Sequence, residues 1–143
     1  MVSVNLEQSN LATELEGVLP PGATFELSQE FYFEAAHTLE RDYETESSRR
    51  IHGHTYSACI TIKGVPYPNS GMIVDLASLR EEVARIRELL DHRLLDEVET
   101  LGPATLENLC AYVYRQFKAR EIIKKISVWR EKSGDRCSLN LEI

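Results

Sequence analysis

Strict alternation carrying histidine on its apolar side is the feature that most constrains this chain. From Ile51 to about Lys63, the residues His52, His54, Tyr56, Ala58, Ile60 and Ile62 fall on one parity, and Thr55, Ser57, Cys59 and Thr61 on the other. Side chains at i and i+2 of a strand share a face. His52 and His54 can therefore reach one ion without bending the backbone. Gly53 between them strips the opposite face and lets another backbone come close. An earlier run has the same period: Phe25, Leu27, Phe31, Phe33, Ala35 and His37 against Glu26, Ser28, Glu30 and Glu34, with Tyr32 and Ala36 as exceptions. Both runs are predicted as half-buried antiparallel strands, and both turn histidine toward one side of one sheet. Three neutral imidazoles with an open fourth position suit a catalytic zinc ion. His-x-His spacing is common, however, and by itself also fits two surface histidines and one core histidine.

At 143 residues the chain is long enough for one domain with a real core. Its 43% hydrophobic and 27% charged residues are those of a globular protein, which argues against disorder. The net charge of -7 argues against a nucleic-acid binder held by phosphate contacts. A small anionic substrate needs only local positive charge and stays open. Cys59, Cys110 and Cys137 are odd in number and lie far apart, as reduced core thiols do. No apolar run is long enough to span a membrane, no signal pattern opens the chain, and the expected location is the cytoplasm.

Residues 1–22 read as an N-terminal extension. Leu6, Leu11, Leu15 and Leu19 recur at loosely helical spacing until Pro20-Pro21-Gly22 interrupts them. Residues 23–143 form the domain. A polar loop over 39–50 joins the two histidine strands. Asp75 can cap a helix over about 76–90 whose stripe is Leu76, Leu79, Val83, Ile86 and Leu90, and Ser78 with Glu81 also fits a capping box. Thr105 begins a second helix with Leu106, Leu109, Val113 and Phe117 inward, and strands are predicted near 122–132 and 137–143. The order is β-β-α-α-β-β, an α+β fold.

Six stretches in order carry a resemblance: Phe33-Glu34-Ala35-Ala36-His37, His52-Gly53-His54-Thr55-Tyr56, Gly71-Met72-Ile73-Val74-Asp75-Leu76, Leu90-Asp91-His92-Arg93-Leu94-Leu95-Asp96, Thr105-Leu106-Glu107-Asn108 and Arg130-Glu131. From about Phe25 to its end the chain resembles the 6-pyruvoyltetrahydropterin synthase / 6-carboxytetrahydropterin synthase family. The resemblance implies a tunnelling fold: a four-stranded antiparallel sheet with two helices on one face. Subunits would close into a trimeric barrel, two trimers would stack into a homohexamer, and active sites would lie between subunits. It implies Zn2+ held by His37, His52 and His54, with a dihydropterin such as 7,8-dihydroneopterin triphosphate as substrate. Asp91 and His92 would be the catalytic pair, Glu131 would anchor the pterin ring through a bidentate fork, and Thr105 and Glu107 would lie near that pocket. The product would feed tetrahydrobiopterin or queuosine synthesis.

One departure bears on the chemistry. The family's catalytic cysteine precedes the His-x-His pair; the two known registers put Ser48 or Glu46 at its position here. A serine is a far weaker base than a thiolate near pH 7, whereas a glutamate can act as a base if burial raises its pKa. Glu44 lies in the same loop, and Arg49 and Arg50 could meet a triphosphate. Three alternatives follow: a cysteine-less enzyme forming 6-hydroxymethyl-dihydropterin for folate synthesis, a non-catalytic pterin-binding oligomer, or a structural zinc protein.

Overall fold

The computed structural model describes residues 18–142. Two long strands, β1 (Phe25–His37) and β2 (His52–Gly64), pair antiparallel along their whole length. Between them lies a single short helix, α1 (Thr45–Arg49). Helix α2 (Leu76–Leu90) follows, then a two-residue strand β3 (Arg93–Leu94), helix α3 (Leu106–Gln116), and strands β4 (Ile123–Arg130) and β5 (Asp135–Asn140). The sheet runs β3-β1-β2-β4-β5, with β3 parallel to β1 and every other pair antiparallel.

The apolar parity expected of β1 and β2 is the buried parity. Phe31, Phe33, Ala35, Tyr56, Ala58, Ile60 and Ile62 join one core with Leu79, Val83, Ile86 and Leu90 of α2 and Leu109, Cys110, Tyr112 and Val113 of α3. Both helices thus cover the same face of the sheet, α2 against β1 and α3 against β4 and β5. The opposite face is polar, and its buried hydroxyls, Thr61 and Ser127, pair across strands with exposed partners: Thr61 with Ser28 at 3.1 Å, and Ser127 with Ser138 at 2.7 Å. Each hydroxyl supplies what its neighbour needs, so neither is left unsatisfied.

The structure amends several expectations. The sheet has a fifth strand, β3, too short to show a period in sequence. Residues 45–49 of the expected loop form a helical turn. Asp75 caps α2 by accepting from the Ala77 N–H at 2.8 Å, and Ser78 lies inside the helix, so the alternative capping box does not operate. Strand β4 ends at Arg130, which leaves Glu131 and Lys132 in the turn before β5. The helix expected through Leu6, Leu11 and Leu15 lies outside the described residues. Among the described residues no helix is long and apolar enough to cross a membrane.

Candidate active site

Register builds the site. Because β1 and β2 pair from Phe25↔Gly64 through to His37↔His52, the last pair of the ladder is two histidines directly opposed. His54 lies two residues along β2 on the same face. One nitrogen from each of the three rings lies within 4.8 Å of the others. His37 is 3% exposed, and His52 and His54 are half-buried.

Two backbone carbonyls fix which nitrogens are free. Ala104 O accepts from His37 Nδ1 at 3.0 Å, and Arg50 O accepts from His52 Nδ1 at 2.8 Å. A carbonyl cannot donate, so each Nδ1 carries the proton and each Nε2 keeps its lone pair. His54 Nε2 lies 3.1 Å from His37 Nε2 and also faces Arg130 Nη1 at 3.2 Å. Burial lowers the pKa of both His37 and His54, with help from Arg130, and His54 falls to about 4. Both rings are therefore neutral near pH 7. Converging lone pairs with nothing between them repel unless a cation sits among them. The His37–His54 separation is close to the ~3.4 Å that tetrahedral zinc at ~2.0–2.1 Å imposes on two nitrogen ligands. Carbonyl-oriented imidazoles are also what a metal's outer shell supplies. The residues present fit such an ion.

Tyr56 lies beneath the rings, with its ring centroid 5.6 Å from that of His54 and 6.4 Å from that of His37. Its hydroxyl is buried without a hydrogen-bond partner, and burial pushes its pKa up to about 12. An orphaned hydroxyl costs about 1–3 kcal/mol. Tyr56→Phe is therefore expected to leave the metal-free protein as stable as before or about 1 kcal/mol more stable in chemical denaturation. A clear loss would show that the hydroxyl has a native partner.

Asp91 and His92 follow the end of α2 and are held to β1. Asp91 Oδ1 accepts from the Glu34 N–H at 2.9 Å, and His92 N–H donates to Glu34 O at 2.6 Å. Asp91 Oδ2 takes His92 Nδ1 at 3.0 Å and Arg87 Nη2 at 3.2 Å. Arg87 in turn donates to Tyr32 O and stacks on the Tyr32 ring. His92 has φ 58°, a left-handed conformation that an L-residue keeps only when its surroundings impose it. The carboxylate fixes the proton on Nδ1, and the exposed Nε2 is free to exchange a proton. The Glu34 N–H bond, aided by His92 and Arg87, holds the Asp91 carboxyl below its usual pKa.

A cavity of about 740 Å³ brings His92 together with His54, Arg130 and Glu131. That volume suits a ligand of the size of a substituted bicyclic ring. A second cavity, of about 490 Å³, exposes all three histidines to Ser48, Glu44 and Arg130. A third, of about 280 Å³, runs from His37 and Tyr56 to Thr105 and Glu107 at the start of α3. Thr105 also caps that helix, accepting from the Asn108 N–H at 3.1 Å. Ser48 is buried. Glu46, by contrast, has a side chain 92% exposed that faces only Arg50, at 3.8 Å, and lines none of these cavities. Arg49 is paired with Glu40 at 3.0 Å.

Sequence reasoning overlooked Arg130 as a member of the site, although Ile126, Val128 and Arg130 share a parity that would have found it. The orienting carbonyls of Ala104 and Arg50 carry no sequence signal at all.

Comparison with known proteins agrees with this geometry. A family model described as 6-pyruvoyl tetrahydropterin synthase matches residues 26–142. A Bacillus subtilis 6-carboxy-5,6,7,8-tetrahydropterin synthase is 36% identical over 76 residues, 53% of this chain and 49% of that protein. A Pyrococcus furiosus dihydroneopterin monophosphate aldolase is 25% identical over 114 residues, 77% of this chain and 90% of that protein. The solved structure of Caenorhabditis elegans 6-pyruvoyl tetrahydropterin synthase superposes with a TM-score of 0.71 at 21% identity, covering 84% of this chain and 97% of that one. The five-stranded sheet with two helices on one face is thus a tunnelling fold. Matched along nearly all of its described residues, the chain belongs to the 6-pyruvoyl tetrahydropterin synthase family.

Proposed function

We propose that the protein is a zinc-dependent lyase acting on the side chain of 7,8-dihydroneopterin triphosphate or a related dihydropterin. The observation that carries this reading is the convergence of one ring nitrogen from each of His37, His52 and His54, beside a cavity that His54 shares with His92, the ring held by Asp91. Zinc, when bound, supplies Lewis-acid polarisation of side-chain hydroxyls. The protein's own residues do the rest. His92 exchanges a proton at Nε2, with Asp91 holding its Nδ1–H and its ring plane. Glu131, at the cavity rim, accepts the 2-amino and ring N–H groups of the pterin, and Thr105 and Glu107 line the pocket behind the histidines. Association of copies into trimers, or two stacked trimers, would complete the site. The test is incubation of zinc-loaded protein with dihydroneopterin triphosphate, with products read by mass spectrometry. Absence of both a product and dihydropterin binding would end this reading.

The loop supplies the second proton-transfer group, Ser48 or Glu46, with Glu44 beside them. Ser48 and Glu44 line the histidine cavity, which favours them within one chain, whereas Glu46 would have to serve a neighbouring copy. A series of Ser48→Ala, Glu44→Gln and Glu46→Gln distinguishes them. The acting residue should lose about 10²-fold in kcat with zinc content unchanged. The other two should stay within a few-fold.

A second reading, aldol-type cleavage to 6-hydroxymethyl-dihydropterin, is favoured by the missing cysteine and by the likeness to the aldolase over 77% of this chain. The same product analysis separates the two. A non-catalytic pterin binder would instead bind tightly, turn over slowly and lose little binding on His92→Ala.

A further inference from the structure

Arg130 is the fixed cation of the site. It ends β4 on the face shared by Ile126, Val128 and the histidines, and its side chain is 22% exposed. It lines all three cavities around the histidines. Its donors are unevenly used. Nη2 donates to Asp135 Oδ2 at 2.7 Å, Nη1 faces His54 Nε2 at 3.2 Å, and Nε is buried with no partner.

The Nη1 contact competes with metal binding. His54 Nε2 has one lone pair, and an ion held by the three histidines takes it. Arg130 Nη1 then loses its acceptor, and Nε already lacks one. A guanidinium cannot shed its charge to relieve this. Local charge adds to the demand. Asp135 balances Arg130, and Glu44 is tied to Arg41. A divalent ion would add two positive charges beside the Arg130 guanidinium. The next residue, Glu131, falls in the turn and is exposed, so the charged group that β4 turns toward the histidines is a cation.

We propose that Arg130 is a specificity-determining residue that reads an oxyanion, a carboxylate, on the end of the substrate that enters the histidine cavity. The ring that bears this carboxylate is taken from the pterin reading above; the recognition of the anion stands on Arg130 alone. Any atom that approaches His54 Nε2 comes within reach of Nη1 as well, so the anion read is the one nearest the histidines.

The test is calorimetric titration of the zinc-loaded, full-length protein with 6-carboxypterin and its neutral counterpart 6-hydroxymethylpterin. Wild type should prefer the carboxylate at least tenfold. Arg130→Met and Arg130→Gln should bring the two within about twofold with zinc content unchanged, and Arg130→Lys should keep most of the preference. A wild-type ratio under twofold overturns the proposal. So does a preference that survives in either neutral variant, which would assign it to the ion. A ring-free pair, lactate and lactamide, repeats the comparison. If neither pterin binds but lactate is preferred in an Arg130-dependent way, the pterin reading falls and the anion site stands. If both pterins bind equally in wild type, the anion site falls and the pterin reading stands. If none of the four binds, both fall.

Discussion

His54→Ala should empty the metal centre and abolish turnover while the domain stays folded. A three-histidine site has no spare ligand. Taking apparent zinc affinities of ~10–16 kcal/mol for four-ligand sites, each ligand is worth roughly 3–4 kcal/mol, or two to three orders of magnitude in binding. Zinc content measured on purified protein should fall from about one ion per chain to a small fraction, and dihydropterin turnover should fall to background. His54 is the most informative of the three. It is the ring that Arg130 faces, and burial drives its pKa down to about 4. The fold should survive because the buried aromatic and aliphatic ladder from Phe31 to Ile62 lies beyond the histidines and does not depend on them. Chelation of the wild-type protein should likewise remove activity before it changes the circular dichroism. Unfolding on chelation would mean that the ion is structural, and full zinc content in His54→Ala would mean that the ligand set is wrong.

This centre was legible in sequence because parity decides it. His37, His52 and His54 share a face with Phe33, Ala35 and Tyr56, and burying that face leaves the histidines one direction to point. Parity does not show register. The direct opposition of His37 and His52 depends on how residues 38–51 close the connection, and that includes a helical turn whose backbone bonds tie Leu39 to Ser48 at 2.7 Å. Tautomers were equally hidden, since the carbonyls of Ala104 and Arg50 come from elements whose residue types say nothing about them. Arg130 was hidden by a boundary. With β4 expected to run through Lys132 and the resemblance pointing to Glu131, Arg130 was passed over; with the strand ending at Arg130, the residue directed at the histidines is the cation.

The same limit applies to the loop that lacks a cysteine. Composition offers Glu44, Glu46 and Ser48 as nearly equal candidates, but a helical turn spaces them around its axis. One turn buries Ser48 toward the histidines and sends Glu46 to solvent. Glu44 precedes that turn with φ 51° and lines the cavity. Which of them would stand in for the missing thiolate is decided by geometry that only a folded loop defines.

His92→Ala should lower kcat by about 10²–10⁴-fold, the range for a positioned general acid or base, with zinc content and melting temperature close to wild type. The His92 side chain is exposed, so on the proposed reading its loss would remove a proton carrier and little of the packing. Asp91→Asn should behave differently. The amide cannot serve His92 and Arg87 as the carboxylate does, and it weakens the acceptor for the Glu34 N–H. It should cost turnover and stability together, the latter by about 1 kcal/mol or somewhat more as a charge-assisted bond to the backbone becomes a neutral one. The pH dependence distinguishes the two effects. Asp91 has a lowered pKa, first through the Glu34 N–H and then through His92 and Arg87. Its stabilisation is therefore complete above the ordinary carboxyl pKa and is lost as pH falls through the lowered one. Wild type minus Asp91→Asn, followed by denaturant unfolding, should be flat from pH 8 to about 5 and shrink below about pH 4. A difference that instead shrinks between pH 6 and 8 would place the stabilising charge on the histidine and reverse the roles assigned to the pair.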